Sequence, residues 1–190
     1  TLTVPREDVS LNGNHNMINV MCAVFAALIA EADEAPIKEG LTSFKNAAHR
    51  MERVEEIGGV TFINDSKGTN VDATAYALAA FNEPLIWIAG GVDKGNDYAQ
   101  IYPLVKDHVK MLICLGKDNA KLIKAFEGVV DEIIETQDIR EAVRQAQEKG
   151  KPGEVVLMSP ACASFDLFRN YEDRGEQFKK AVRNLKESVR

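Results

Sequence analysis

The sequence has few cysteines, no surplus of basic residues and no long hydrophobic run, and each shortage excludes a class of protein. The three cysteines Cys22, Cys114 and Cys162 are odd in number and widely spaced. This is typical of reduced core thiols in a cytosolic protein, and argues against a disulfide framework or a metal site. With 23 basic and 29 acidic residues, the chain lacks the basic surface that nucleic acids and anionic membranes require. No apolar stretch reaches the roughly 20 residues that span a bilayer, so we expect a cytoplasmic protein.

The chain also lacks an initiator methionine, since it begins at Thr1 with an irregular stretch. We therefore expect that it begins inside a longer protein. Its 190 residues, of which 45 % are apolar, suffice for one globular domain and a fragment of another. No Gly-x-Ser-x-Gly elbow surrounds Ser164 and no histidine follows it, so the sequence does not support a hydrolase triad.

From residue 60 onward, short apolar runs alternate with longer helical patterns. This alternation predicts an α/β fold in which helices cover a mostly parallel sheet. The predicted strands cover residues 60–63, 85–89, 111–115, 132–135 and 155–158. The predicted helices cover residues 71–81, 98–108, 118–127, 138–149 and 173–188.

The first third of the chain has a different character. An apolar helical pattern opens at residues 12–16 and ends near Ala32, and residues 36–44 predict a shorter helix. A connector then precedes His49. We place a domain boundary there, which assigns residues 1–46 to one domain and residues 47–190 to the next.

Three loops, at residues 64–70, 90–97 and 159–166, follow strands and carry more polar side chains than a turn requires. In an open parallel sheet, ligands bind beyond the carboxyl ends of the strands. The first loop leads into a helix whose free N–H groups and dipole attract anions, and it adds the cation Lys67. The second loop projects another cation, Lys94. Together the loops predict a site for an anionic ligand.

Each loop also has a purely structural interpretation. The first could be a capped connection in which Asn70 or Asp72 starts the helix and Lys67 is solvated. Lys94 could be a solvated lysine in a turn. Ser164 could donate a hydrogen bond to a substrate, or it could cap the helix that follows.

Two polar pairs outside these loops are open to two interpretations. Asn16 and Asn19 lie three residues apart on one helix face. They could be cap and surface residues, or they could pair with an adenine edge. His49 and Arg50 could be a surface pair or a phosphate clamp.

Five motifs, in this order, resemble those of the Mur ligase family, and they extend across nearly the whole chain. They are Asn-His-Asn-x-x-Asn at 14–19, His-Arg at 49–50, Asn-Asp-Ser-Lys-Gly-Thr-Asn at 64–70, Gly-Gly-x-Asp-Lys-Gly at 90–95 and Ser-Pro-Ala-x-Ala-Ser-Phe-Asp at 159–166. Within the family they are most similar to the enzyme that adds D-glutamate to UDP-N-acetylmuramoyl-L-alanine. One family motif is missing, since no Gly-Lys-Ser or Gly-Lys-Thr phosphate loop occurs in these 190 residues.

The resemblance implies a three-domain, ATP-dependent ligase of peptidoglycan precursor synthesis that also uses Mg²⁺. Residues 1–46 would be the helical C-terminal tail of its central ATPase domain. Residues 47–190 would be its Rossmann-like C-terminal domain, which presents the amino acid. The absent N-terminal and central domains would carry the phosphate loop and most magnesium ligands, so this chain would be inactive alone.

The resemblance also implies roles for individual residues. Asn16 and Asn19 would contact adenine, and Arg50 and Asp65 would approach the ribose and phosphates of ATP. Lys67 and Arg50 would take part in catalysis. The D-glutamate site would be lined by Lys67, Thr69, Lys94, Ser164, Phe165 and Tyr171.

In the reaction that the resemblance implies, ATP phosphorylates the carboxylate of UDP-N-acetylmuramoyl-L-alanine, and the amine of D-glutamate attacks the acyl phosphate. Two alternatives remain. One is a related ligase that adds L-alanine or a diamino acid, or that adds glutamate to folate. The other is a non-catalytic domain that binds a nucleotide or an amino acid.

Overall fold

The computed structural model describes residues 2–11, 14–44 and 47–188, with only the backbone of residues 14 and 15. The chain divides into two compact units, Thr1–Ala47 and Ala48–Arg190. The boundary predicted between residues 46 and 47 adjoins residues 45 and 46, which lie outside the described residues.

The first unit is helical. A short 3₁₀ turn at Arg6–Asp8 precedes α1 (Asn14–Ile29) and α2 (Glu34–Ser43). Both predicted helices are therefore present, although residues 12 and 13, where the first was predicted to open, lie outside the described residues. One face of α1 is exposed and apolar, and it includes Ile18, Met21, Phe25 and Ile29.

The second unit contains a six-stranded sheet in the order β1-β2-β6-β3-β4-β5. All neighbouring strands are parallel except β1 and β2, which are antiparallel. The five predicted strands are confirmed, each within two residues of its predicted ends. The strands are β1 (Glu52–Ile57), β2 (Val60–Asn64), β3 (Leu85–Ala89), β4 (Val109–Leu115), β5 (Glu132–Thr136) and β6 (Val155–Met158).

Helices cover both faces of this sheet, as predicted. The chain moves in one direction from β2 through β3 and β4 to β5, so right-handed crossovers place the three connecting helices on one face. It then reverses to reach β6, which places α6 on the other face together with α7. The helices are α3 (Val71–Leu78), α4 (Tyr102–His108, after a 3₁₀ turn at Tyr98–Ile101), α5 (Ala120–Phe126), α6 (Ile139–Lys149) and α7 (Tyr171–Ser188).

Each central strand contributes to two hydrophobic cores. In β3, Leu85, Trp87 and Ala89 face α3 to α5, whereas Ile86 and Ile88 face α6 and α7. This alternation follows from the period of two of a strand. Because both faces are buried, the strand has an unbroken apolar sequence, which made it easy to predict.

The edge strand β1 was not predicted, because its sequence Glu-Arg-Val-Glu-Glu-Ile is mostly charged. Two of its charges pair with α7, where Glu52 contacts Lys179 at 3.2 Å and Glu55 pairs with Lys186, whereas Arg53 and Glu56 pair with each other. The turn into β2 uses Gly58 and Gly59 at φ +57° and +81°, which is the conformation of a two-residue hairpin turn. The Gly-Gly dipeptide was therefore the available signal for this strand.

The cysteine prediction is confirmed for two residues and wrong for one. Cys114 and Cys162 are free and buried, whereas Cys22 is free and exposed on α1. An apolar neighbourhood in the sequence did not imply burial there, because that face of α1 is itself exposed. Within the described ranges no helix is long and apolar enough to cross a membrane.

Replacing the fully buried Trp87 should destabilise the second unit. Its ring packs edge-on against Phe126 at 5.4 Å, and its Nε1–H donates to the Ser159 carbonyl at 2.7 Å. We expect Trp87→Phe to cost about 2 to 4 kcal/mol in the free energy of unfolding, because it removes volume and the shorter of the two hydrogen bonds to that carbonyl, the other being from Thr74 Oγ1 at 3.4 Å.

Urea denaturation followed by far-ultraviolet circular dichroism measures this cost, since the variant lacks the tryptophan fluorophore. Tyr102→Phe, at a partly exposed ring, is the matched control and should change stability by less than about 0.5 kcal/mol. Equal stabilities of the two variants would contradict the prediction.

Candidate functional site

Three loops leave the carboxyl ends of the neighbouring strands β2, β6 and β3. The first loop is residues 64–70, the second is residues 90–97, and the third is residues 159–170. Because β6 lies between β2 and β3, the third loop lies between the other two. The chain leaves β2 and β3 towards one face of the sheet and β6 towards the other. Loops that diverge in this way open a crevice at the carboxyl ends of the strands, where α/β proteins bind ligands.

Backbone hydrogen bonds join these loops. The Ala161 N–H donates to the Gly68 carbonyl at 2.9 Å, which connects the third loop to the first. Val92 and Ala163 exchange two hydrogen bonds at 2.8 and 3.2 Å, which connect the third loop to the second. The side chains of all three loops are therefore presented by one connected backbone.

The Arg174 side chain on α7 lies beneath this backbone and contacts all three loops. It is 1 % exposed and donates to the Ser66 hydroxyl and carbonyl at 3.0 and 2.9 Å. Its other bonds reach the Cys162 carbonyl at 3.3 Å and the Gly90 carbonyl at 3.4 Å. Burial lowers the pKa of Arg174 to about 10, against the influence of nearby acidic groups, so the guanidinium is charged at neutral pH.

Arg174 was not predicted from the sequence. A signal was present, because Arg174 precedes Phe178 and Ala181 by four and seven residues. It therefore lies on the apolar stripe of an amphipathic helix, where a charged residue must be paired or hydrogen-bonded.

Asp65 is buried within the first loop, with 7 % of its surface exposed. One carboxylate oxygen accepts the Ser159 hydroxyl at 2.8 Å, and the other accepts the Met51 N–H at 3.2 Å. Burial raises the pKa of Asp65 to about 6, although these hydrogen bonds and the charges of Arg50 and Arg174 oppose the shift. The predicted contact between Asp65 and ATP is untested, and in this structure both carboxylate oxygens bind protein groups.

Gly68 is required where the first loop approaches the third. A Cβ at this position would lie 2.5 Å from Asp65 Oδ2 and 2.6 Å from Ser159 Oγ. Both distances are far below van der Waals contact. The glycine thus permits the approach of the two loops.

His49 is a buried structural residue, so the surface interpretation of the His49-Arg50 pair is wrong for this residue. Its ring Nδ1 lies 3.0 Å from the amide nitrogen of Asn64, and its carbonyl accepts the Lys67 N–H at 3.0 Å. A Cβ on Gly175 would lie 2.1 Å from the ring, so this helix glycine makes room for it. Arg50 is exposed.

The two predicted lysines differ in their surroundings. Lys67 is half-buried, and its Nζ lies 5.4 Å from the centroid of the Tyr171 ring, within the range of a cation–π interaction. Lys94 is exposed, and its ammonium has no hydrogen bond or ion pair within the described part of the chain. Thr69, beside Lys67, is half-buried.

In the third loop, Ser164 is 2 % exposed and Phe165 is 68 % exposed. Ser164 does not cap α7, because the Asn170 side chain accepts the Asp173 N–H at 2.7 Å instead. The cap of α3 is Asn70, as the structural interpretation of the first loop required.

The remaining predicted residues, Asn16 and Asn19, belong to the helical unit. Asn16 is 8 % exposed, whereas Asn19 is exposed and lies on the wall of an apolar cavity of about 480 Å³ lined by α1 and α2. Within the described residues, no cluster of three His, Cys, Asp or Glu side chains could hold a metal ion.

Several known proteins are similar to this chain in sequence. The UDP-N-acetylmuramoylalanine–D-glutamate ligase of Christiangramia forsetii is 50 % identical over 183 residues, which are 96 % of this chain and 41 % of the relative. The enzyme of the same name from Salinibacter ruber is 41 % identical over 182 residues, 96 % of this chain and 40 % of the relative. The chain thus spans about two fifths of the length of the curated relatives it matches.

Solved structures show the same fold at low sequence identity. UDP-N-acetylmuramate–alanine ligase MurC from Thermotoga maritima superposes with a TM-score of 0.68 at 16 % identity, covering 94 % of this chain and 40 % of that one. Folylpolyglutamate synthase from Thermotoga maritima superposes with a TM-score of 0.59 at 20 % identity, covering 96 % of this chain and 41 % of that one.

The family described as "Mur ligase, glutamate ligase domain" matches residues 49–162, which hold β1 to β6 and the first two loops. That match is more than half of the chain, and it agrees with the curated relatives and with the fold. This chain belongs to the Mur ligase family.

Proposed function

We propose that this chain is the C-terminal part of an ATP-dependent ligase that joins D-glutamate to UDP-N-acetylmuramoyl-L-alanine in peptidoglycan precursor synthesis. The names of the curated relatives support this substrate pair. In the proposal, residues 1–46 are the tail of a central ATPase domain and residues 47–190 present the amino acid. The enzyme would act in the cytoplasm, where ATP and nucleotide-linked sugars are present.

The observation that carries the proposal is that the cations on and beneath the connected loops have no ion-pair partners among the described residues. Lys94 has no partner for its ammonium within the described ranges. Lys67 lies over the face of the Tyr171 ring, and its charge helps to lower the pKa of Glu172 without a direct ion pair in the described residues. Among the same residues, the buried cation Arg174 bonds to a neutral hydroxyl and to carbonyls. A substrate with two carboxylates, such as glutamate, supplies the missing counter-charges.

The proposed chemistry has two steps. A carboxylate oxygen of UDP-N-acetylmuramoyl-L-alanine attacks the γ-phosphorus of ATP, and ADP leaves. The amine of D-glutamate then attacks the acyl carbon, loses a proton and expels phosphate, which leaves an amide. Mg²⁺ would be held mainly by the other domains of the longer protein, where it would neutralise charge on the phosphates of ATP.

The residues of this chain would act mainly by binding and positioning. Lys94 and Lys67 would hold the carboxylates of D-glutamate, with Thr69, Ser164, Phe165 and Tyr171 around it. Arg50 would face the phosphates, while Asn16 and Asn19 would contact adenine. For Asp65 we propose a supporting role, because its bond to Met51 fixes the backbone next to Arg50. Correct placement of an attacking amine is a large part of the rate of such reactions.

A binding domain without catalysis is the second candidate, because a folded α/β unit with unpaired cations can bind anions by itself. Calorimetry of the 190-residue chain with D-glutamate and with ATP separates the two. Tight binding of either ligand favours the binding domain, whereas weak binding of both fits a site divided between domains.

The 190-residue chain alone should not form amide bonds from ATP, UDP-N-acetylmuramoyl-L-alanine and D-glutamate, because it lacks a phosphate loop. The longer parent protein should catalyse the reaction, and phosphate release measures it. The same assay with L-alanine or a diamino acid in place of D-glutamate tests two related ligase activities. A third is tested with folate and glutamate as the substrate pair. Turnover by the 190-residue chain alone would refute the divided site.

In the parent, Lys94→Ala should raise the KM for D-glutamate at least about tenfold and change the KM for ATP less than about twofold. The reason is that Lys94 would pair with a carboxylate of the amino acid alone. Lys151→Ala is the matched control, since Lys151 is exposed and precedes β6 at the other end of the strand. An unchanged KM for D-glutamate would show that Lys94 is a solvated turn residue.

Asp65 should make stability depend on pH. Its pKa of about 6 lies above the ordinary 3.8, so the folded state holds the proton more tightly than the unfolded state does. The stability from this group is present below about pH 4 and is lost as the pH rises through about 6.

Asp65→Asn removes this ionisation and retains an oxygen for the Met51 N–H. The free energy of unfolding of Asp65→Asn minus that of the unsubstituted chain should therefore increase between about pH 4.5 and about pH 7.5. Urea denaturation across this range measures the difference, with Asp97→Asn at an exposed loop position as the control. A difference that stays constant with pH would contradict the raised pKa.

A further inference from the structure

Lys94 has no ion-pair partner among the described residues, although the preceding residue, Asp93, carries a carboxylate. The reason lies in the direction of the Asp93 side chain, which folds back onto its own loop. Its Oδ1 accepts the N–H groups of Gly95 at 2.7 Å and Asn96 at 3.1 Å. These two bonds define a tight turn, with Gly95 at φ +86° and Lys94 at its tip.

Two side chains from outside the turn hold the Asp93 carboxylate in this direction. Lys121 on α5 donates to Oδ1 at 3.0 Å, and the Tyr98 hydroxyl donates to Oδ2 at 3.0 Å. The Lys121 ammonium also lies 5.7 Å from the centroid of the Tyr98 ring. The carboxylate, the ammonium and the aromatic ring therefore form one compact cluster.

Tyr98 is a rigid anchor for the cluster. It is 5 % exposed, and its ring packs edge-on against Phe126 at 5.8 Å. Its hydroxyl lies 3.2 Å from the Cys162 sulfur, and the Asn96 amide also donates to that hydroxyl at 3.2 Å. The second loop is thereby attached to the third loop through side chains as well as backbone.

The charge balance of the cluster favours an unpaired Lys94. Partial burial alone would raise the pKa of Asp93, but the bonds from Lys121, Gly95, Asn96 and Tyr98 hold it below its usual value. The carboxylate is thus ionised, and its charge is compensated by Lys121. Lys94 is the cation next to Asp93 in sequence. Without Lys121, a pair between these two neighbours would remove the positive charge from the tip of the loop.

We propose that Tyr98 and Lys121 are positioning residues that keep Asp93 directed inwards and so leave Lys94 free to bind a carboxylate of the incoming amino acid. This inference rests on the proposed function for the identity of that amino acid. Neither residue contacts the substrate. Their effect is on the affinity for an acidic amino acid, and it passes through Asp93.

The kinetic test uses the full-length parent. Lys121→Met should raise the KM for D-glutamate about threefold to tenfold and leave kcat and the KM for ATP within about twofold. Lys121→Arg should restore the wild-type KM, because arginine can also pair with the carboxylate. Lys124→Met is the matched control, since Lys124 is exposed on the same helix and has no partner in the described residues; it should behave as wild type.

A second measurement does not depend on the substrate. Hydrogen exchange of the Gly95 and Asn96 amides should become faster in Lys121→Met and in Tyr98→Phe, but not in Lys124→Met, because these amides bond to Asp93. If the wild-type parent does not use D-glutamate, the proposed function fails and the exchange result still tests the cluster.

Three results would overturn the inference. The first is a Lys121→Met variant that matches Lys124→Met in the KM for D-glutamate. The second is faster amide exchange without any change in that KM, since the cluster would then have no effect on binding. The third is an equal change in the KM for both substrates, which would indicate general damage to the structure.

Discussion

The buried guanidinium of Arg174 is the interaction on which the three loops depend. Loops at the end of a parallel sheet leave carbonyl groups without partners, and a buried carbonyl without a donor is costly. The planar fork of arginine offers five donors in a fixed geometry, and here it reaches Ser66, Gly90 and Cys162 together. A lysine has a single nitrogen and could not satisfy groups this far apart.

The same interaction affects the electrostatics of the site. Among the described residues the hydrogen-bond partners of Arg174 are neutral, and its charge is offset only through space by Asp65 and Asp166. The nearby carboxylates are turned inwards: Asp65 bonds to Ser159 and Met51, and Asp93 bonds to its own turn and to Lys121. The exposed cation Lys94 remains available, while the carboxylates of Asp65 and Asp93 are hydrogen-bonded to protein groups. This separation of charge is what an acidic substrate requires.

Much of the fold could be predicted from local patterns. Strands buried on both faces have continuous apolar sequences, and β3 and β6 were predicted with the ends they have in the structure. The edge strand β1 could not be found in this way, because its stability comes from pairing with β2 and from lysines on α7. The exposure of Cys22 could not be predicted from its neighbours either, since those apolar residues lie on an exposed face of α1.

The site was predictable in part. The loops, their glycines and their lysines could be located from strand ends and motifs. Whether a polar side chain in them is free could not, as Ser164 and His49 show by being buried. Arg174 was hidden for a related reason, because only its position on the apolar stripe of α7 distinguishes it from a surface arginine.

The sequence by itself determined the alternation of helices with strands β2 to β6, the three polar loops and the family motifs, because these depend on residues close together along the chain. The tertiary structure decided which charges are free and which are held. Those pairings join residues far apart in sequence, such as Ser66 and Arg174, which are 108 positions apart. A hydrogen bond forms only when the fold brings donor and acceptor within about 3 Å, and no local pattern encodes that distance.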